Sequence, residues 1–299
     1  EQLLHTTEGW FSAAYLNLQT LAERGTLPDG GSDIYTMFSA AMIQPLSLRR
    51  QAFLAMLGLA DEFTAEMAQA VTEYADAASQ IADLTARNAF VTRLPDGVTY
   101  RFHHMMKECA QRTFRTLPPE SQQSCRRRYG QWYEERGQYL QALRAYGGAE
   151  DFDGVLRVVE KDAGILLALL PPEQVLSWLD RCLPEVLERH PLAMLVLMRS
   201  MFNWRRIPEM LRLKEQLLAA IDARPDMSGE ERGNLRGECD LIMSFLLYND
   251  IAGMSRLHRS ASAQMSRPAV SIRRQGGWTF GSPSVLMMFH RQAGRLDCE

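Results

Sequence analysis

Apolar residues recur at three- to four-residue spacing along most of the chain, the pattern that gives a helix one buried stripe. From Glu8 to Arg24 the residues Trp10, Ala13, Ala14, Leu16, Leu18 and Leu21 follow it, and Gly25 stops it. The run Leu27-Pro28-Asp29-Gly30-Gly31-Ser32-Asp33 is dense in turn formers and reads as a linker. Ser32 or Asp33 can cap a helix from Ile34 to about Ile43. Ser47 can cap a second, carrying Phe53, Leu54, Met56, Leu57 and Leu59. A third starts near Thr64 with Met67, Val71 and Tyr74, and a fourth runs from Ala77 or Ser79 through Leu84 to Asn88.

The pattern then changes period. Ala89–Leu94 and Val98–Phe102 are β-prone and flank Pro95-Asp96-Gly97, so they predict a hairpin. A helix resumes at His103 with Met105, Met106, Cys109, Ala110 and Phe114 on one side. Helices, one hairpin and another helix over 33–115 suit a winged-helix-like unit with the hairpin as its wing. Leu117-Pro118-Pro119 marks the next boundary, and beyond it only paired helices are predicted.

Those pairs repeat. At an offset of 44, Trp204 falls on Tyr248, Ile207 on Ile251, Met210 on Met254 and Leu213 on Leu257. A further step of 45 takes Ile251 to Leu296. An earlier unit lies at Tyr129–Tyr146, where Trp132, Tyr133, Gly137, Ala142 and Ala145 echo the tetratricopeptide pattern. A helix pair cannot bury its apolar face alone, whereas stacked pairs share a core and leave a groove. The expected fold is therefore mainly α, a winged-helix-like unit followed by an α-solenoid of tetratricopeptide-like helix pairs. The apolar helix Pro283–Ala293 lacks a second helix before Glu299, and the first residue is Glu1, so the sequence reads as a fragment of a longer protein.

Composition adds exclusions. The 33 basic and 36 acidic residues give a net charge of −3, which provides no global pull toward nucleic acid or acidic membranes. Lysine stands only at 107, 161 and 214, a bias we read as codon usage. No signal peptide is visible, and the longest apolar run, Ala163–Leu170, is too short to span a bilayer. Five widely spaced cysteines without a C-x-x-C pair argue against a disulfide framework or zinc site and suit a reducing cytoplasm. No nucleophile elbow, H-E-x-x-H or paired-carboxylate arrangement stands out, so no enzyme activity is expected.

The order of several segments carries a family resemblance. They are Thr7-Glu8-Gly9-Trp10 with Ala13-Ala14, Arg49-Arg50-Gln51-Ala52-Phe53-Leu54 ahead of Ala65-Glu66-Met67-Ala68, and Arg87-Asn88-Ala89-Phe90-Val91. Tyr100-Arg101-Phe102-His103-His104 follows, then Arg126-Arg127-Arg128-Tyr129 leading to Trp132-Tyr133-Glu134-Glu135-Arg136-Gly137. Pro191-Leu192-Ala193-Met194-Leu195 and Trp278-Thr279-Phe280-Gly281-Ser282-Pro283-Ser284 complete the series. In this the chain resembles the middle of MalT-like, large ATP-binding LuxR-type transcriptional regulators, the signal-transducing ATPase family.

The resemblance implies an ATPase module, a winged helix, a helical sensor and a C-terminal helix-turn-helix in the intact protein. On that scheme 1–26 holds the last helix of the ATPase module, 33–115 the winged helix and 117–299 a truncated stack of repeats. No G-x-x-x-x-G-K-[ST] segment occurs in this sequence, so ATP or ADP is implied for the intact protein only. The implied partners are an unknown small-molecule or protein effector and the protein's own ATPase module. No membrane partner is expected. Neither is direct nucleic-acid binding, since eight Lys/Arg and nine Asp/Glu between 33 and 115 leave no basic excess.

The resemblance also names a residue. Related ATPases carry a Met-His-Asp triplet whose histidine meets the nucleotide's β-phosphate. His103 matches that histidine, and His104 stands where the aspartate would be. The other reading is that both histidines cap and pack the wing-to-helix junction. Gly9-Trp10 resembles a motif near the adenine, or is a helix start with a buried anchor. In the repeats, Trp204, Arg205, Arg206, Tyr248 and Asn249 at the helix-pair turns are candidates to line an effector groove, with Trp204 and Tyr248 alternatively core residues. Met194, Met198 and Met201 form a core stripe, and Arg126-Arg127-Arg128 reads as a solvated helix face. The alternative to a regulator is a helical-repeat scaffold for protein–protein interaction without nucleotide control.

Overall fold

The computed structural model describes residues 32–86, 90–247 and 250–272. The expected helix over Glu8–Arg24, the Gly9-Trp10 pair, Tyr248, Asn249 and the Trp278–Ser284 and Pro283–Ala293 stretches lie outside the described residues. The chain divides into two units, Glu1–Trp132 and Tyr133–Glu299.

In the first unit, local side chains set where the helices begin. The unit runs α1 (Ser32–Met42), α2 (Leu48–Leu57), β1 (Phe63–Thr64), α3 (Ala65–Thr72) and α4 (Ala77–Ala86), then β2 (Val91–Arg93), β3 (Thr99–Phe102), α5 (His104–Thr116) and most of α6 (Pro119–Glu135). Ser47 Oγ accepts the Arg50 N–H at the start of α2, and Thr64 Oγ1 accepts the Met67 N–H at 3.1 Å at the start of α3. Each satisfies a backbone donor that the first helical turn leaves over. The apolar stripes of these helices meet in a core of Phe38, Phe53, Leu54, Leu57, Met105 and Phe114. Helix α2 runs along α5, and Gly58 makes the close approach possible: a Cβ there would lie 2.6 Å from Ala110 Cβ.

The hairpin is present and carries one strand more than expected. Strands β2 and β3 pair antiparallel, Val91 opposite Phe102 and Arg93 opposite Tyr100. Asp96 Oδ1 accepts the N–H groups of Val98 and Thr99, and Gly97 takes a positive φ of 73° to turn the chain. On the other edge of β3 sits β1, with Phe63 opposite Tyr100 and Thr64 opposite Thr99, so the sheet order is β1-β3-β2. The expected hairpin is thus present, and β1 extends it to a three-stranded sheet. Two residues are too few to show an alternating pattern, and this strand exists only through its pairing with β3.

The second unit has helices and no strand among its described residues. It holds α7 (Tyr139–Gly148), α8 (Phe152–Asp162), a 3₁₀ turn (Leu166–Leu169), α9 (Pro172–Arg181), α10 (Pro184–Glu188), α11 (Pro191–Asn203), α12 (Ile207–Asp222), α13 (Gly229–Ser244), a 3₁₀ turn (Phe245–Leu247) and α14 (Ile251–Gln264). Successive helices pair as α7 with α8, α11 with α12 and α13 with α14. The 44-residue offset is visible directly, because α12 begins at Ile207 and α14 at Ile251. The fold is mainly α, a winged helix followed by paired helices.

Three of the connecting turns share one geometry. Gln138 N donates to Tyr133 O at 2.9 Å, Asp151 N to Tyr146 O at 3.0 Å and Arg206 N to Met201 O at 2.8 Å. In each the residue just before the donor is left-handed: Gly137 (φ 69°), Glu150 (φ 56°) and Arg205 (φ 59°). This is the Schellman arrangement, which satisfies the last carbonyls of one helix while reversing into the next. The core between the pairs includes Leu143, Val158, Trp178, Met194, Met198 and Met201, the methionines forming the buried stripe their spacing predicts.

Candidate functional site

His103 stands where the wing returns to the helices. Its backbone N–H donates to Phe90 O at 2.7 Å, tying the end of β3 to the residue before β2. Its side chain is the N-cap of α5, with Nδ1 accepting the Met105 N–H at 3.3 Å. A neutral imidazole whose Nδ1 accepts carries its proton on Nε2. The ring meets Phe90 edge-on, with centroids 5.6 Å apart. His103 is half-buried, at the positive end of a 13-residue helix dipole.

His104 has a different setting. Its Nε2 lies 3.4 Å from Tyr35 Oη, and the Arg112 guanidinium stacks over the Tyr35 ring at 4.3 Å. The two histidines have different hydrogen-bond partners, one capping α5 and the other packing toward α1, with their ring centroids 5.5 Å apart.

Several described cations of this unit pair with carboxylates. Arg49 pairs with Asp76 at 2.8 Å and Arg50 with Asp83 at 2.9 Å, and Arg101 and Lys107 pair with Glu62 and Asp61. The Arg126-Arg127-Arg128 triple is only partly a solvated face. Arg128 Nε donates to Val71 O at 2.7 Å, capping the end of α3, and its Nη1 donates to Glu73 and Ser124. Arg126 lies over the Phe114 ring at 5.1 Å, while Arg127 is exposed. Spacing along the chain gives no sign of the cap or the ion pair, because Glu73 and Val71 lie 55 and 57 residues away.

In the helical unit, Trp204 closes α11 and packs partly buried against the core. Arg205 is exposed in its left-handed conformation, and Arg206 lies 3.7 Å from Glu173 and 3.8 Å from Glu209. Trp204, Arg205 and Arg206 thus share one turn, but Trp204 faces the core and Arg205 faces solvent. Tyr248 and Asn249 fall outside the described residues.

Two charge clusters had no sequence signal. Glu134 accepts Arg157 Nε and Nη2, each at 2.9 Å, Lys161 Nζ at 2.7 Å and Tyr146 Oη at 2.7 Å. Burial raises its pKa, but those bonds outweigh burial and hold the carboxyl down at about 2. His190 sits between Glu160 and Asp153. The i,i+4 pairing of Asp153 with Arg157 is readable from spacing, but the distant partner Glu134 is not. Among the described residues no group of three or more His, Cys, Asp or Glu could hold a metal ion. An apolar cavity of about 10 Å³ lies among Phe152, Leu156, Leu167, Val175, Trp178 and Cys182, room for about one water rather than a ligand. Cys109, Cys125, Cys182 and Cys239 are free thiols, and burial pushes Cys125 up to about 12, away from nucleophilic use. No described helix is long and apolar enough to cross a membrane.

Comparison with known proteins places the first unit. Residues 39–122 match the family model of the MalT winged helix domain, which supports a MalT-like origin. No curated protein and no solved structure matches the chain.

Proposed function

We propose that this chain is the signal-sensing, regulatory middle of a LuxR-type transcriptional regulator. In it, effector binding by the helical pairs is coupled through the winged helix to a nucleotide-controlled switch. The observation that carries this reading is the winged-helix match over 39–122, which spans the wing and the helices around it.

The residues fit such a switch. His103 is held by its Nδ1, so the neutral ring's proton is on Nε2, the kind of donor a phosphate oxygen needs. Bound ATP or ADP would supply the charge that the switch reads; this chain's part is to hold the imidazole at the start of α5. The ion-paired cations of the winged unit favour a coupling role over reading DNA, whose backbone asks for uncommitted Lys and Arg. Effector and nucleotide would then bias one equilibrium between two docked states, each changing the other's affinity by the same factor. A cytoplasmic setting goes with this role.

The coding sequence on either side of Glu1–Glu299 tests the reading. A phosphate-binding loop upstream and a helix-turn-helix downstream are expected. A start codon directly before Glu1 with a stop directly after Glu299 would favour an interaction scaffold without nucleotide control.

A further inference from the structure

His190 opens α11 and faces α8 with both ring nitrogens. Nδ1 lies 3.2 Å from Glu160 Oε2 and Nε2 lies 3.3 Å from Asp153 Oδ1, with the side chain only 12% exposed. A neutral imidazole has one N–H and one lone pair, so it can serve one carboxylate and must turn a lone pair toward the other. Only the imidazolium donates from both nitrogens. We propose that His190 is a proton-operated clamp, whose protonated ring fastens the entrance of α11 to α8 and whose deprotonation releases one end.

The groups around it give the two ends unequal strength. Asp153 is shared: Arg189 Nη2 lies 2.7 Å from its Oδ1 and Arg157 Nη1 3.3 Å from its Oδ2. Glu160 instead uses its second oxygen, Oε1, to accept the Ala193 N–H at 3.3 Å, so this one carboxylate grips α11 twice. From the turn after α12, Arg224 donates to Glu188 O and so holds the approach to His190. The nearby Cys182 thiol is kept neutral, chiefly by burial. Two carboxylates therefore face the ring, the two guanidiniums lie on one of them, and the end released on deprotonation is that shared one, Asp153.

The hydrogen bond that the ring donates to Glu160 is the main cause raising its pKa above its ordinary 6.5, with burial opposing it and Asp153 adding to it. A raised folded-state pKa means that the clamp is fully present below about 6.5 and is lost as pH rises through the folded value. In that window, any event that parts α11 from α8 gives up a proton. The clamp needs no nucleotide and stands apart from the reading above.

The test is a two-bond proton–nitrogen NMR titration of the histidine rings in the 299-residue chain, with His190 assigned by its loss in His190→Gln. A midpoint above 6.5 that falls in Glu160→Gln is expected. A midpoint at or below 6.5, or one that Glu160→Gln leaves in place, overturns the clamp. If His190→Gln does not fold, the resonance moved by Glu160→Gln assigns the ring, and the absence of any moved resonance overturns the clamp.

Discussion

Arg157 grips Glu134 with two parallel N–H···O bonds, Nε to Oε1 and Nη2 to Oε2, each 2.9 Å long. The bidentate fork is the geometry in which a guanidinium binds a carboxylate most strongly. It links the end of α6 to α8, and Tyr146 Oη adds α7 to the same carboxylate. Glu134→Gln should therefore lower stability by about 2 kcal/mol. A wholly buried pair would cost more, but Arg157 and Lys161 keep 39% and 48% of their side chains in solvent. Urea unfolding followed by circular dichroism measures the loss.

The same carboxylate sets an acid limit. Its folded pKa, at about 2, lies below the ordinary 4.5, so its contribution is present above about 4.5 and is lost as pH falls from there toward 2. Thermal melts across that range should show a shallower pH dependence in Glu134→Gln than in the parent chain.

Gly233 lets α14 close on α13. A Cβ on Gly233 would lie 2.5 Å from the backbone oxygen of Gln264, which cannot move aside as a flexible side chain could. Gly233→Ala should lose about 1–3 kcal/mol despite alanine's better helix propensity. A Cβ on Gly229 would meet nothing within 4 Å, so Gly229→Ala should instead gain stability or leave it level. Parallel thermal melts of the two variants separate crowding from propensity.

Arg205 occupies a position where the equivalent turn uses Gly137. Relief of the left-handed strain, about 1–2 kcal/mol, exceeds the entropy that glycine adds to the unfolded chain. Arg205→Gly should stabilise the protein by about 0.5–1 kcal/mol, measured as a higher denaturation midpoint. A drop in stability would mean that the Arg205 side chain makes a contact worth more than the strain.

What is legible in the sequence is local. Ser47, Thr64 and His103 mark helix starts because a cap reaches only two or three residues ahead. Asp96-Gly97 fixes the wing turn for the same reason, and Ile207 and Ile251 reveal the repeat because each opens a helix of a pair. The features that spacing hides depend on distant partners. Phe63-Thr64 becomes a strand only against Thr99 and Tyr100, Arg128 caps a helix 57 residues upstream, and the carboxylates around His190 lie 30 and 37 residues before it. His103 stands out in the sequence through a family resemblance, and the structure adds what spacing could not: its Nδ1 caps α5, which places the neutral ring's proton on Nε2.

The nucleotide-sensing step of the coupling account turns on His103, and it is tested most directly by calorimetric titration of ADP and AMP into the full-length gene product. The parent protein is compared with His103→Asn, which keeps an N-cap acceptor for α5 but loses the imidazole. The account predicts that the preference for ADP over AMP falls about tenfold, or about 1.4 kcal/mol, with AMP affinity unchanged. An undiminished preference for ADP in His103→Asn would contradict it.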